Sequence, residues 1–364
     1  MKKSLCEILL DYYPRNSEVE ELYSTTIANC AFNGILSCTA IMFNIVTIHA
    51  IRKTSSLPKT LKTLLLSLAV SDVGVGLLGQ PVYCSLLIKW SLQSDPDCTM
   101  YKAYYIIAYL FSAASFSGVL AVSVDRFLAI HLHLRYQELV THKRVVAVVI
   151  SIWMMCLILP FLMFLVPLDI YSLFNGIYGV TGLIFTSMIY IKLYLAVRRH
   201  KNQIQIMQTQ QVAQAVEVTN FASLIKSAVG IFYVYLVFLL CYLPYLISLV
   251  VTETKGSGIV LKRFSLFGFT LAFLNSSLNP VIYCWKMRHI RRAVVNLLRN
   301  MCRHRNHTSH ETLEMTGHTK AWTSVVYPVK RLMFITTTAE RFNSGCSSPN
   351  RNAEEIILSK DYIA

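Results

Sequence analysis

The chain has 364 residues, 54% of them hydrophobic and only 15% charged. Soluble domains carry about 25% charge and disordered chains are poor in apolar residues, so the composition excludes both and points to a membrane protein. The net charge of +15 is placed in a way that reports orientation in a bilayer, and nucleic acid is not an expected partner.

Seven stretches hold almost no charge: 22–51, 63–88 (interrupted by Asp72 alone), 103–124, 145–168, 170–191, 227–252 and 264–285. Each is 22 residues or longer, and about 20 apolar residues of helix cross ~30 Å of hydrocarbon. Water-free hydrocarbon makes each segment satisfy its own backbone, which a helix does. Barrel strands span in about 10 residues and are excluded. The expected fold is an all-α membrane protein, a seven-transmembrane helix bundle with an amphipathic eighth helix.

Residues 1–21 read as a short outer tail. Lys2 and Lys3 imitate the start of a signal peptide, but Glu7 and Asp11 break the run, so the first span is expected to act as its own anchor. The bundle occupies 22–285. Arg52, Lys53, Lys59, Lys62, Arg135, Lys143, Arg144, Arg198, Arg199, Lys201 and Lys226 fall in the loops after spans one, three and five. The positive-inside rule places the N-terminus outside and the C-terminus in the cytosol. Residues 286–302 read as an interfacial helix, with Ile290, Val294, Leu297 and Leu298 on one face and arginines elsewhere. Cys302 at its end is either a palmitoylation site or a free thiol. Residues 303–364 are polar and expected to be disordered. Gln203 to Gln214 reads as a helical extension or a loop. Of the ten cysteines, Cys30, Cys38, Cys156, Cys241 and Cys284 fall in spans as packing residues. Only Cys6, Cys84 and Cys98 face the oxidising side.

Polar groups inside a bilayer are costly and usually functional. Here they are Asn44, Asp72, Ser115, Asn275, Ser276 and Asn279. Pro280 and Tyr283 follow the last of these, and Asn279-Pro-Val-Ile-Tyr283 resembles the NPxxY motif of rhodopsin-like G-protein-coupled receptors. Leu68-Ala-Val-Ser-Asp72 resembles their helix-two motif, Asp125-Arg126-Phe127 their DRY motif with Phe for Tyr, and Trp153 their helix-four tryptophan. Cys241-Tyr-Leu-Pro244 resembles CWxP with Tyr242 for Trp. Four motifs in order on the right spans carry the resemblance, which covers about residues 22–300 and looks closest to the adenosine, melanocortin, cannabinoid and lysophospholipid group.

The resemblance implies a receptor, not an enzyme, that passes ligand binding to a heterotrimeric G protein by movement of helix six at the plasma membrane. It also implies arrestin and receptor kinases acting on the tail. Asp125, Arg126, Tyr190, Phe238, Tyr242, Pro244, Asn279, Pro280 and Tyr283 stand at its switch positions. It implies an allosteric sodium ion among Asp72, Ser115, Asn275, Ser276 and Asn279; a protonated Asp72 in a hydrogen-bonded network is the alternative. No other cofactor is expected. The acidic residue that helix six usually offers to the arginine is absent from 221–227.

The expected ligand wall is Tyr104, Tyr105, Ala108, Tyr109 and Ser112 on helix three, Tyr242, Tyr245 and Leu249 on helix six, and Phe269 and Phe273 on helix seven. It is aromatic and has no carboxylate, which suits a lipid or a neutral small molecule. Ala108 stands where amine receptors have an aspartate, Phe273 where opsins have the retinal lysine, and Leu249 where adenosine receptors have an asparagine. Lys102 at the outer end of helix three is either a head-group contact or a solvated lysine. Cys98 lies three residues from the family cysteine position, where Tyr101 stands, so the usual disulfide is expected to be missing, with Cys6 or Cys84 as alternative partners. Gly182 replaces the usual helix-five proline. A seven-helix hydrolase is disfavoured because all ten histidines sit at or beyond the cytosolic ends. A transporter is disfavoured because Asp72 is alone in the membrane.

Overall fold

The computed structural model describes residues 18–55, 57–94, 97–132, 135–166, 168–207, 215–256 and 258–311. The membrane helices are α1 (Val19–Lys53), α2 (Lys59–Ser91), α3 (Cys98–His131), α4 (His142–Ile158), α5 (Leu168–Met207), α6 (Ala215–Lys255) and α7 (Ile259–Lys286). Among the described residues, seven helices are long and apolar enough to cross a bilayer. An eighth, α8 (Arg288–Glu311), follows. The chain divides into two units, Met1–Cys302 and Arg303–Ala364. All sites below lie in the first.

Local sequence sets the helix ends. Glu20 and Glu21 sit in the first turn of α1 and Arg52 and Lys53 in its last, the arrangement the helix dipole favours. The Thr141 hydroxyl accepts from the Arg144 N–H at the start of α4. Pro160 cannot continue that helix, and the chain tightens into 3-10 turns over Leu159–Phe164. The fourth span therefore stops short of the expected residue 168. In α2, Val75–Gly79 widens into a π turn in which the Gln80 N–H reaches back to the Val75 carbonyl. Pro81 follows directly and has no N–H to give. The extra residue rotates every later side chain of α2 relative to Asp72.

Polar groups point inward and apolar ones outward, the inverse of a soluble protein. Asn29, Asn33, Asn44, Asp72, Gln80, Asn275 and Asn279 are fully buried, whereas Phe32, Ile35, Ile150 and Phe174 are more than half exposed to the surround. Cys38, expected as a packing residue, also faces outward. α3 is the hub and packs against α2, α4, α5 and α6, while α7 packs against α6 and α1. The Asn44 amide donates to the Ser276 carbonyl at 2.9 Å, tying α1 to α7. Trp153 of α4 donates to the Ser67 hydroxyl of α2 at 2.9 Å.

In α8, Ile290 and Val294 are buried and Arg288, Arg292 and Arg299 are exposed, as expected of an interfacial helix. The helix runs to Glu311. Residues 312–364 lie outside the described residues, as do 1–17 and 208–214 of the loop between α5 and α6.

α6 runs without a break through Pro244, and α7 lies hard against it there. A Cβ on Gly268 would stand 3.1 Å from the backbone Cα and N of Tyr245. Overpacking of this kind costs about 1–3 kcal/mol. Gly268→Ala is therefore expected to lower the melting midpoint of the purified protein; an unchanged melting curve would contradict the close approach.

Candidate functional site

Three groups of side chains occupy three levels of the bundle. In the middle, Asp72 of α2 is completely buried, and the Asn279 amide of α7 donates to one of its oxygens at 2.8 Å. Ser276 lies beside the same carboxylate. Asp72 Oδ1, Ser115 Oγ, Asn275 Oδ1 and Asn279 Oδ1 are buried with no hydrogen-bond partner. The Asp72 carboxylate with Asn279 and Ser276 beside it offers hard oxygen donors, which suit a hard monovalent cation better than a thiolate- or imidazole-seeking metal. No group of three or more His, Cys, Asp or Glu capable of holding a metal occurs among the described residues.

At the inner end of α3, Asp125 and Arg126 are both nearly fully buried and form an ion pair. The Arg126 Nε donates to Asp125 Oδ2 at 2.9 Å. The second carboxylate oxygen accepts from the Tyr136 hydroxyl at 2.6 Å. Tyr136 sits in the one-turn helix Tyr136–Leu139, and its hydroxyl also meets Thr60 of α2 at 3.0 Å. Burial, and then the Asp125 carboxylate, push the Tyr136 phenol up to about 12, so it stays protonated and keeps donating. Two donors on one carboxylate hold Arg126 against its own helix. Sequence reading missed Tyr136, although a tyrosine just past the arginine was the available signal.

Tyr190 and Tyr283, expected at switch positions, do not meet Arg126 here. The Tyr190 hydroxyl is 2.8 Å from Ser123 Oγ, and its ring stacks on Tyr235. The Tyr283 hydroxyl is buried with no partner. On α6 the rings of Phe238 and Tyr242 stack at 4.2 Å. Phe116 of α3 stacks on Phe238 at 5.5 Å and meets Tyr178 of α5 edge-on, and Ser112 lies beside the Tyr242 hydroxyl. This aromatic column joins α5, α3 and α6 just below Pro244. Gly182 explains itself here: a Cβ on it would stand 2.5 Å from the Phe116 ring. The missing side chain makes room for that ring.

The outer wall splits into two groups. Tyr104, Phe269 and Phe273 gather around Tyr83 of α2, with ring centroids 5.5–5.7 Å from it. Tyr245 packs on Phe269 at 4.7 Å, and Ala108 lies against this cluster. Tyr83 was not foreseen from sequence. Tyr105 and Tyr109 turn instead toward α5: their hydroxyls donate to the Tyr171 hydroxyl at 3.1 Å and to Asn175 Oδ1 at 2.7 Å. Leu249 is half-buried on α6.

Lys102 places its ammonium 5.7 Å from the centre of the Phe164 ring. Lys262, at the outer end of α7, is buried and donates to Glu18 at 2.6 Å. Cys98 is disulfide-bonded, so of the two expectations for it the alternative pairing applies. Cys84 is excluded as its partner, being a free thiol that points at the Cys30 carbonyl. Cys6 lies outside the described residues.

Comparison with known proteins agrees with this arrangement. The family model described as the seven-transmembrane receptor of the rhodopsin family matches residues 43–169 and 166–283. The chain is 26% identical to the histamine H2 receptor of Cavia porcellus over 303 residues, covering 76% of this chain and 80% of that one. It is 25% identical to the adenosine receptor A2b of Gallus gallus over 300 residues, covering 71% and 84%. The match spans all but the ends of the bundle, and the chain belongs to the rhodopsin family of seven-transmembrane receptors: it is a G-protein-coupled receptor, a multi-pass membrane protein.

Proposed function

We propose that this receptor sits in the plasma membrane with its N-terminus outside, binds a neutral or lipid-like ligand through its outer aromatic wall, and releases Arg126 to a G protein when α6 moves. The observation that carries the switch is the buried Asp125–Arg126 pair closed by Tyr136. Removing one partner of a buried ion pair costs about 3–5 kcal/mol, enough to hold a resting state and small enough for a ligand to offset. The column Tyr178, Phe116, Phe238 and Tyr242 lies between the ligand wall and that pair. α6 is the mobile element, because Pro244 removes one of its backbone hydrogen bonds. The ligand selects the minor conformation by binding it better.

The lining residues support the ligand class. Tyr83, Tyr104, Ala108, Tyr245, Phe269 and Phe273 present rings and hydroxyls and no carboxylate. Histamine and adenosine are therefore not carried over from the names of the relatives. A sodium ion is proposed among Asp72, Ser115, Asn275, Ser276 and Asn279, where it supplies a counter-charge for the Asp72 carboxylate and favours the resting state. Cys302 is proposed as a palmitoylation site on α8, and the Ser- and Thr-rich tail as the ground for receptor kinases and arrestin.

Arg126→Ala is expected to abolish agonist-independent and agonist-driven nucleotide exchange while surface expression persists; full exchange by this variant would sink the switch. Tyr136→Phe removes one donor from a carboxylate, a bond worth about 1.5–3 kcal/mol when charged. Basal nucleotide exchange in membranes should rise several-fold, and an unchanged basal rate would contradict its role. Sodium should raise the melting midpoint of the purified receptor, and Asp72→Asn should erase that rise; identical curves with sodium and with potassium would remove the ion from the account.

A further inference from the structure

A second polar group lies between α1, α2 and α7 in the outer half of the bundle, and the switch does not use it. Asn29 and Asn33 of α1 are completely buried, and Thr270 of α7 is nearly so. The Asn33 amide donates to Thr270 Oγ1 at 2.8 Å, and the Thr270 hydroxyl donates to Asn29 Oδ1. Two further bonds fix the level of α2 against α1. Cys84 points at the Cys30 carbonyl, and the Ser37 hydroxyl donates to the Gly76 carbonyl at 2.8 Å. Gln80 lies midway between Gly76 and Cys84 on this face of α2, and Asn33 lies midway between Cys30 and Ser37 on α1. Gln80 directly follows the π turn at Val75–Gly79, and its full burial puts it on an inward face. Gln80 is fully buried, and neither its Oε1 nor its Nε2 has a partner. Asn33 Oδ1 has none either.

A buried amide left unpaired costs about 1–3 kcal/mol, and native interiors rarely tolerate one without use. Here one donor and two acceptors are unspent in a group that contains no carboxylate and no cation. Such a set matches a neutral group that both donates and accepts. The turn at Gly79 lies against Phe273, and one turn further out Tyr83 stacks on Tyr104 and lies tilted against Phe273. The polar group is thus adjacent to the aromatic wall.

We infer that Gln80 and Asn33, braced by Thr270 and Asn29, form a binding site for an uncharged carboxamide or hydroxyl group of a ligand whose apolar body lies on the Tyr83–Phe269–Phe273 wall. The inference deepens the neutral-ligand reading given above and rests on it. Gln80 supplies both a donor and an acceptor to the incoming group, and Asn33 Oδ1 accepts its remaining proton. A carboxylate or an ammonium is rejected because no opposite charge compensates its desolvation.

The test uses the full-length receptor in lipid nanodiscs and four probes with one body: benzamide, benzyl alcohol, benzoate and benzylammonium. Benzamide and benzyl alcohol are expected to raise the melting midpoint with dose, benzoate and benzylammonium to leave it unchanged. Gln80→Leu and Asn33→Leu should each lose the benzamide rise. Should neither variant fold, a diazirine-bearing benzamide on the wild-type receptor replaces them. Its cross-links should map to peptides holding residues 25–37 and 75–90. Equal shifts from all four probes, a benzamide shift retained in Gln80→Leu, or cross-links only elsewhere would overturn the site. Nucleotide exchange by the wild-type receptor reports on the receptor reading separately. Intact exchange with no benzamide effect overturns this site alone.

Discussion

Inside a bilayer no water arrives to pair a stranded polar group, so each polar side chain in a span must find its partner on a neighbouring helix. That constraint organises this receptor more than apolar packing does, because lipid tails are as apolar as the helix faces they touch. Asn44 ties α1 to α7, Trp153 ties α4 to α2, and Asn279 ties α7 to Asp72. Each tie crosses a helix boundary, and together they fix which face of each helix looks inward.

The same constraint divides the bundle into levels with different chemistry. The inner level holds a full ion pair, Asp125 with Arg126, and its carboxylate is satisfied by Tyr136 from the adjoining loop. The middle level holds one carboxylate, Asp72, with Asn279 and Ser276 beside it and one of its own oxygens unspent. The outer level is aromatic, with neutral amides behind it. Charge therefore sits where a protein partner or an ion can answer it, and is missing where an extracellular ligand would meet the wall. The column of Tyr178, Phe116, Phe238 and Tyr242 links the levels. Closely packed rings do not deform continuously, so a shift at one end repacks the other.

Much of this was legible in the sequence. Charge-free runs mark the seven spans because charge in hydrocarbon is expensive, and the pairing of Asp72 with Asn279 follows from their motifs. What stayed hidden depends on rotation and on neighbours. The π turn before Gln80 shifts the inward face of α2, so counting helical turns from Asp72 does not find Tyr83 or Gln80. Tyr105 and Tyr109 share a helix with Tyr104, yet face α5, because Tyr171 and Asn175 offer their hydroxyls partners there. Asn29 and Asn33 take their role from Thr270, which sits on another helix and which no local spacing announces. Gly182 read as a lost proline, whereas its reason lies on another helix, in the Phe116 ring. The bond at Cys98 depends on which cysteine the fold brings near, which spacing alone does not state.

The central claim is that α6 moves relative to α3 when Arg126 is released. The most direct measurement is the distance between spin labels at residues 131 and 229, both exposed near the inner ends of those helices. The labelled receptor is measured by pulsed electron–electron resonance alone and with nucleotide-free G protein. The account predicts a single short distance for the receptor alone and a longer population when the G protein is bound. One unchanged distance distribution in both conditions would contradict it.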